Sequence, residues 1–324
     1  MNNDLTSNPR NNKPSARREF LKQMGAAALA WSAASQRLGA APAAATNPVG
    51  YSCIAWPDEQ YGPAIEAISA VGYKGVQLMS EIEQDFPGDK VLEFRDQLKK
   101  LKLVATCMSC HKVSLAPGKP IDKSVANFHE DVKFIKALGG LFLQVTDGGK
   151  PNVNYSAEDI KTLGTAMTEL GKIAKDSGIT LGYHPHFGML GETRQGIAKV
   201  MDSTDPQYVK IIVDVGHLTL GDSDPAEVIR TYHQRLAFFH MKDVRKDTFD
   251  SIKQNHDAGW RIRVRFCEIG HGILDFKPIV AAIRDVKFTG WLVVELDRYI
   301  PPPGGPIESA RINKAALEQL GFKV

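Results

Sequence analysis

Four apolar segments of the chain each end in a side chain that can ligate a metal ion: Leu181-Gly182-Tyr183-His184, Ile211-Ile212-Val213-Asp214, Phe238-Phe239-His240 and Leu292-Val293-Val294-Glu295. A short apolar run of this kind reads as a strand buried on both faces, so each polar residue would emerge where its strand leaves the core. Two neutral imidazoles and two carboxylates suit Mn²⁺, Co²⁺, Zn²⁺ or Fe²⁺, and the histidines argue against Ca²⁺ or Mg²⁺. With four protein ligands, an octahedral ion keeps adjacent positions for substrate oxygens. Such an ion is a Lewis acid that polarises a carbonyl and steadies the enediolate formed when the neighbouring C–H loses its proton.

Other residues near these segments can move protons or hold substrate. His186 and His271 carry the group best suited to proton exchange near neutral pH. Glu268 and Lys242 compete for the same work, and Glu295 is read as both ligand and catalytic residue. His217 follows Asp214 by one helical turn and is placed to reach a substrate hydroxyl, with Lys242 and Arg298 as further substrate-binding residues. A single histidine at a strand end is usually structural, but four ligand types at four strand ends point to one shared ion.

These segments belong to a longer alternation. Strands are expected at Tyr51–Trp56, Gly75–Met79, Leu103–Met108, Leu141–Val145, Thr180–His184, Val209–Asp214, Leu236–His240 and Trp291–Glu295. Between them lie helical patterns at Gly62–Val71, Val91–Leu101, Ser124–Leu138, Ala157–Ser177, Arg194–Ser203, Ala226–Tyr232 and Phe276–Arg284, and Ile307–Leu320 reads as a closing helix. Ser156 is a capping residue, while Pro225 and Pro278 fit first-turn positions. Eight βα repeats predict an α/β fold, a (β/α)8 TIM barrel spanning 46–324 as a single domain, with chemistry at the carboxyl ends of its strands. An open doubly wound sheet would offer a glycine-rich phosphate loop, and neither G-x-G-x-x-G nor a Walker A sequence is present. The longest irregular stretch, Val244 to Gly272, contains Trp260, Arg261, Arg263, Arg265, Glu268 and His271 and reads as a lid.

Residues 1–45 read as a targeting segment. Ala16-Arg17-Arg18-Glu19-Phe20-Leu21-Lys22 is a twin-arginine export signature, followed by a mildly apolar run from Met24 to Ala34 and small residues at Ala43-Ala44-Ala45. The expectation is cleavage near Ala45 and a periplasmic or extracellular protein. The apolar run is too short for a membrane span and is interrupted by Ser32, Ser35, Gln36 and Arg37. The chain holds 40 Lys/Arg and 37 Asp/Glu, of which residues 1–45 hold six and two, leaving 34 against 35. Without a concentrated positive patch to displace counterions from phosphates, nucleic acid is excluded as a partner.

Cys107-Met108-Ser109-Cys110-His111 matches the C-x-x-C-H pattern of covalent haem attachment. Haem is attached to unfolded chains, whereas twin-arginine export carries folded ones, and the segment reads as a strand. Cys53, Cys107, Cys110 and Cys267 are too few for a disulfide scaffold, although a Cys107–Cys110 bridge is conceivable.

The runs Tyr183-His184-Pro185-His186-Phe187-Gly188, Asp214-Val215-Gly216-His217, Phe239-His240-Met241-Lys242-Asp243-Val244, Gly270-His271-Gly272-Ile273-Leu274-Asp275 and Gly290-Trp291-Leu292-Val293-Val294-Glu295 resemble the xylose-isomerase-like barrels. This is the sugar phosphate isomerase/epimerase family, and within it the resemblance is strongest to inosose dehydratase. It is dense from Thr180 to Asp297 and thin before that. It implies one divalent metal, manganese first with cobalt, zinc or iron as alternatives, and proton abstraction beside the carbonyl of a sugar or cyclitol. Ketose 3-epimerases of the family generally place Glu where His184 stands and pair it with the counterpart of Glu295 as a second base. His184 therefore favours a lyase or dehydratase over an epimerase. Glu268 replaces a residue that is neutral in the family's dehydratases, so the leaving-group side is expected to differ.

An unphosphorylated keto-sugar, oxidised glycoside or cyclitol is the expected substrate. Isomerisation or epimerisation through the same enediolate is the alternative, and a non-catalytic exported sugar-binding barrel is a third reading. The sequence leaves open whether the barrel forms a homo-oligomer.

Overall fold

The computed structural model describes residues 46–57, 60–113, 128–254 and 265–324. Eight parallel strands close into a barrel: β1 (Val49–Ser52), β2 (Gly75–Met79), β3 (Val104–Val113), β4 (Phe142–Asp147), β5 (Thr180–Tyr183), β6 (Val209–Asp214), β7 (Leu236–Met241) and β10 (Leu292–Val294). β10 closes the ring by pairing with β7 on one side and β1 on the other. Between them, β8 (Asp243–Val244) and β9 (Phe266–Cys267) form a small antiparallel ribbon outside the barrel.

Closure explains the two-sided apolarity of the strands. One set of side chains, including Val49, Leu143, Leu181, Ile211 and Phe239, packs outward against the helices. A smaller set, Cys107, Ile212, Phe238 and Val293 among them, packs together as a separate cluster, which strand alternation places inside the barrel. Helix starts follow local chemistry. Ser156 and Asp159 form a reciprocal capping box at Ala157–Asp176, Asp224 caps a helix with Pro225 in its first turn, and Asp275 caps Phe276–Asp285. The closing helix Gly305–Gln319 is tied to the barrel where Tyr73 Oη donates to the Ala310 carbonyl at 2.9 Å.

Three sequence expectations change. The first strand ends at Ser52 rather than Trp56, because Ser52 Oγ accepts the Ile54 N–H and the chain turns into a 3₁₀ helix at Cys53–Ala55. The third strand runs on to Val113 and takes in the whole Cys107–Cys110 motif, whose cysteines are free. The stretch from Val244 to Gly272 is not uniformly irregular: it holds a helix at Lys246–Gln254, and its ends are joined by the β8–β9 ribbon. Residues 1–45, the proposed export signal, and Trp260, Arg261 and Arg263 lie outside the described residues. Among the described residues, no helix is long and apolar enough to cross a membrane.

Candidate metal centre

The four ligand residues converge because of strand parity. Ile212, Phe238 and Val293 point into the barrel, so Asp214, His240 and Glu295, each two residues on, point the same way at the strand ends. Gly182 faces Ile212 from β5 and sets the same parity for His184. Ligand atoms of His184, Asp214, His240 and Glu295 all lie within 4.8 Å of one another, and all four residues are buried. Asp214 serves two structures at once. Its Oδ1 accepts the His217 N–H at 2.8 Å and caps the helix Val215–Leu220, while its Oδ2 stands 3.2 Å from His184 Nε2 and 3.3 Å from His240 Nδ1. That cap is why His217 follows Asp214 by one turn.

A second layer orients the ligands. His240 Nε2 donates to Gln77 Oε1 at 2.7 Å, and Gln77 Nε2 donates to Glu295 Oε1 at 2.8 Å. The proton on Nε2 leaves the lone pair on Nδ1, a buried atom that faces Asp214 and Glu295 and has no hydrogen-bond partner among the described residues. His184 has its own amide: Gln144 Nε2 stands 3.1 Å from Nδ1, and Gln144 Oε1 is buried with no partner among the described residues. Turning that amide by half a rotation sets Oε1 against Nδ1–H and frees the Nε2 lone pair, the same logic that operates at His240. An orphaned imidazole nitrogen, two carboxylates and two amide-backed histidines fit a divalent transition ion.

Lys242 completes the charge distribution. Its Nζ, fully buried, lies 3.0 Å from Asp214 Oδ2, 2.7 Å from Glu295 Oε2 and 2.6 Å from Asp297 Oδ1. Burial works against the ammonium, but the three carboxylates outweigh it and hold Lys242 charged above its ordinary range. Burial likewise acts to raise Asp214 and Glu295. Lys242 overcomes it at Asp214, which is held well below the usual carboxylate range, while His240 and then Lys242 bring Glu295 down to about 2. Gly216 makes room for the lysine stem, since a Cβ there would stand 2.8 Å from Lys242 Cγ.

His186 and His217 lie against each other beside this group, ring centroids 3.7 Å apart and planes tilted by 36°. Burial, then His184, lowers His186 to about 3, and burial, then His186, lowers His217 well below its ordinary value. Both are therefore neutral near pH 7. His186 Nδ1–H donates to the Phe187 carbonyl at 2.7 Å, which puts its lone pair on Nε2. Among the described residues neither buried nitrogen of His217 has a hydrogen-bond partner, and its Nε2 is 3.9 Å from Asp297 Oδ2.

Three other predicted site residues are not brought into this cluster. Glu268 Oε1 accepts from Ser309 Oγ at 2.6 Å and ties its segment to the closing helix, as does Ile269 N–H, which donates to Asn313 Oδ1. His271 is exposed and lines a surface groove with Lys246, Asp275 and Lys277. Arg298 is exposed directly after Asp297, with its backbone at φ 52°. Gln77, Gln144 and Asp297 are the site residues that the sequence reading passed over.

Two buried carboxylates hold the surrounding loops by their backbones. Asp147 accepts N–H groups from Gly149, Leu190 and Gly191, and the Tyr183 hydroxyl. This fixes the loop that leaves β5 with His186. Asp243 accepts from Val244, Gly270, Gly272 and Leu274. Gly272 is needed there because a Cβ would collide with Asp243 Oδ1 and the Val244 carbonyl.

The same architecture recurs in known proteins. The chain is 30% identical over 273 residues to an inosose dehydratase of Lacticaseibacillus casei, covering 79% of this chain and 88% of that one. It is 29% identical to another from Clostridium perfringens, covering 81% and 93%. Among solved structures, a zinc-containing IolI protein superposes with a TM-score of 0.66 at 14% identity, covering 85% of this chain and 98% of that one. D-psicose 3-epimerase with D-fructose superposes with a TM-score of 0.64 at 18% identity, covering 85% and 99%. The family model described as xylose isomerase-like TIM barrel matches residues 65–316, which include all four ligand residues and seven of the eight barrel strands. The chain therefore belongs to the xylose isomerase-like TIM barrel family.

Proposed function

We propose that the protein is a divalent-metal-dependent lyase of the dehydratase type. It would remove the proton beside the carbonyl of an unphosphorylated keto-sugar, oxidised glycoside or cyclitol and expel a β-hydroxyl or β-alkoxy group. The observation that carries this reading is the pairing of a His184–Asp214–His240–Glu295 ligand set with two adjacent neutral imidazoles, His186 and His217. A base must begin unprotonated, and both rings do.

When bound, the ion supplies Lewis acidity at the substrate carbonyl. The chain does the rest. His184, Asp214, His240 and Glu295 hold the ion, and manganese is the proposed occupant. His186, its Nδ1–H fixed on the Phe187 carbonyl, takes the carbon-bound proton at Nε2 and passes it on to the departing oxygen. His217 offers its unpartnered nitrogens to a substrate hydroxyl. Relatives named inosose dehydratase support elimination, and His184 in place of a second carboxylate base speaks against epimerisation. Neighbours named as epimerases keep isomerisation by the same proton abstraction as the second reading. Export through the twin-arginine pathway is part of the proposal, and it favours unphosphorylated substrates because sugar phosphates are scarce outside the cytoplasm.

The test is elemental analysis of the purified protein followed by incubation with a panel of keto-sugars in D₂O. About one divalent ion per chain, with deuterium beside the carbonyl and loss of a β-substituent, is the expected result. Deuterium without loss of a group would replace the lyase with an isomerase or epimerase. Substrate-dependent stabilisation without any product would make the protein a binding barrel.

A further inference from the structure

Lys242 contacts two of the four residues that would hold a metal ion. Its ammonium contacts Asp214 Oδ2 and Glu295 Oε2, the same two oxygens toward which His240 Nδ1 turns at 3.3 and 3.5 Å. A divalent ion held by those oxygens would compete with the ammonium for their lone pairs and be repelled by its charge. Three carboxylates, Asp214, Glu295 and Asp297, face one ammonium, so two negative charges remain, the charge of one divalent ion. Asp297 lies outside the four-ligand set and already holds Nζ at 2.6 Å.

We propose that Lys242 is a built-in competitor of the metal ion, which loading transfers from Asp214 and Glu295 to Asp297. The inference rests on the metal reading of the site. The slot around the side chain confines the change to its tip: Gly216 lies against the stem, and the Phe266 ring covers the ammonium at 4.4 Å from its centroid. The transfer leaves a cation beside Asp297 and His217, on the side assigned to substrate hydroxyls. Lys242 is thus a positioning residue whose partners report whether the centre is loaded. Asp297 has a defined purpose in the same scheme: it holds the lysine while the ion is bound.

The experiment is a calorimetric titration of metal-free protein with Mn²⁺ and, separately, Zn²⁺. Lys242→Met removes the competitor and should tighten binding on the order of tenfold or more. Asp297→Asn removes the lysine's alternative partner and should weaken binding by a comparable factor, although Asp297 lies outside the four-ligand set, in a second group with His186 and His217. In the double variant the effect of Asp297→Asn should disappear. Lys242→Arg keeps the charge and should bind no tighter than the parent, which separates competition from a folding defect of the apolar variant. Tb³⁺ luminescence gives a second readout: without the ammonium, three negative charges should favour a trivalent ion over a divalent one. Weakened or unchanged divalent binding in a folded Lys242→Met protein would overturn the proposal, as would an Asp297→Asn effect that persists in the double variant. Failure of the parent protein to bind either ion would overturn the metal reading itself, and this proposal with it.

Discussion

Gln77 on the second strand and His240 on the seventh stand 163 positions apart in sequence and 2.7 Å apart in the barrel, where the amide oxygen accepts the imidazole Nε2–H. The same amide's nitrogen donates to Glu295, so one side chain sets the orientation of two ligands.

Gln77→Leu should therefore lower metal affinity about 10- to 100-fold, the usual effect of losing such a supporting partner. The measurement is a metal titration. The ligands themselves are untouched, so unchanged affinity would mean that the packing of the barrel, and not the amide, orients His240.

Glu295→Gln should abolish turnover and weaken metal binding by on the order of 100-fold or more, because the ion loses a charged ligand. Turnover that persists at parental rates would remove Glu295 from the site.

His186→Ala should cut kcat by about 10²- to 10⁴-fold with metal content retained. His271→Ala, altering an exposed side chain of a surface groove, should stay within about threefold. The reverse ranking would move proton transfer to that groove.

Acidification should destabilise the metal-free protein partly through His186. Burial lowers its folded-state value to about 3, so between there and the unfolded value near 6.5 the unfolded chain binds more protons. This stability is present above about pH 6.5 and is lost as pH falls. For a partly exposed ring the loss from pH 7 to 5 is about 1 kcal/mol. His186→Phe should lose that much less, as read by denaturant unfolding at both pH values. Asp243 works in the opposite sense below pH 6, since burial raises it to about 6 despite its four backbone donors. It is common to both proteins and cancels in the comparison.

Asp243→Asn should cost about 2–4 kcal/mol of stability, because an amide oxygen cannot accept all four backbone N–H groups that the two carboxylate oxygens share. Denaturant unfolding measures it, and a loss below about 0.5 kcal/mol would show that the Gly270–Leu274 segment is held by other contacts.

Much of the barrel and the four ligands could be read from the chain, because both depend on local pattern: apolar runs end in polar residues, and parity then sends those residues inward. Gln77 and Gln144 also carry a signal in the sequence. Each is a lone amide in an otherwise apolar strand, Gly75-Val76-Gln77-Leu78-Met79 and Phe142-Leu143-Gln144-Val145, and a buried amide needs partners. Asp297 shares the parity of Glu295 and was also within reach. Glu268 was different. Its neighbours Gly270 and His271 suggested chemistry, whereas its partner Ser309 lies 41 positions further on, a contact that only tertiary packing creates. The β8–β9 ribbon is not legible in the sequence, because two residues per strand are too few for any periodicity to show.

The carboxylates of Asp147 and Asp243 grip their loops almost entirely by main-chain amides. Amides are the same in every residue but proline, so an exposed side chain such as His271 can be exchanged without loosening the grip. The rim can thus change an exposed side chain while the backbone beneath it, and the buried cluster it borders, stay in place.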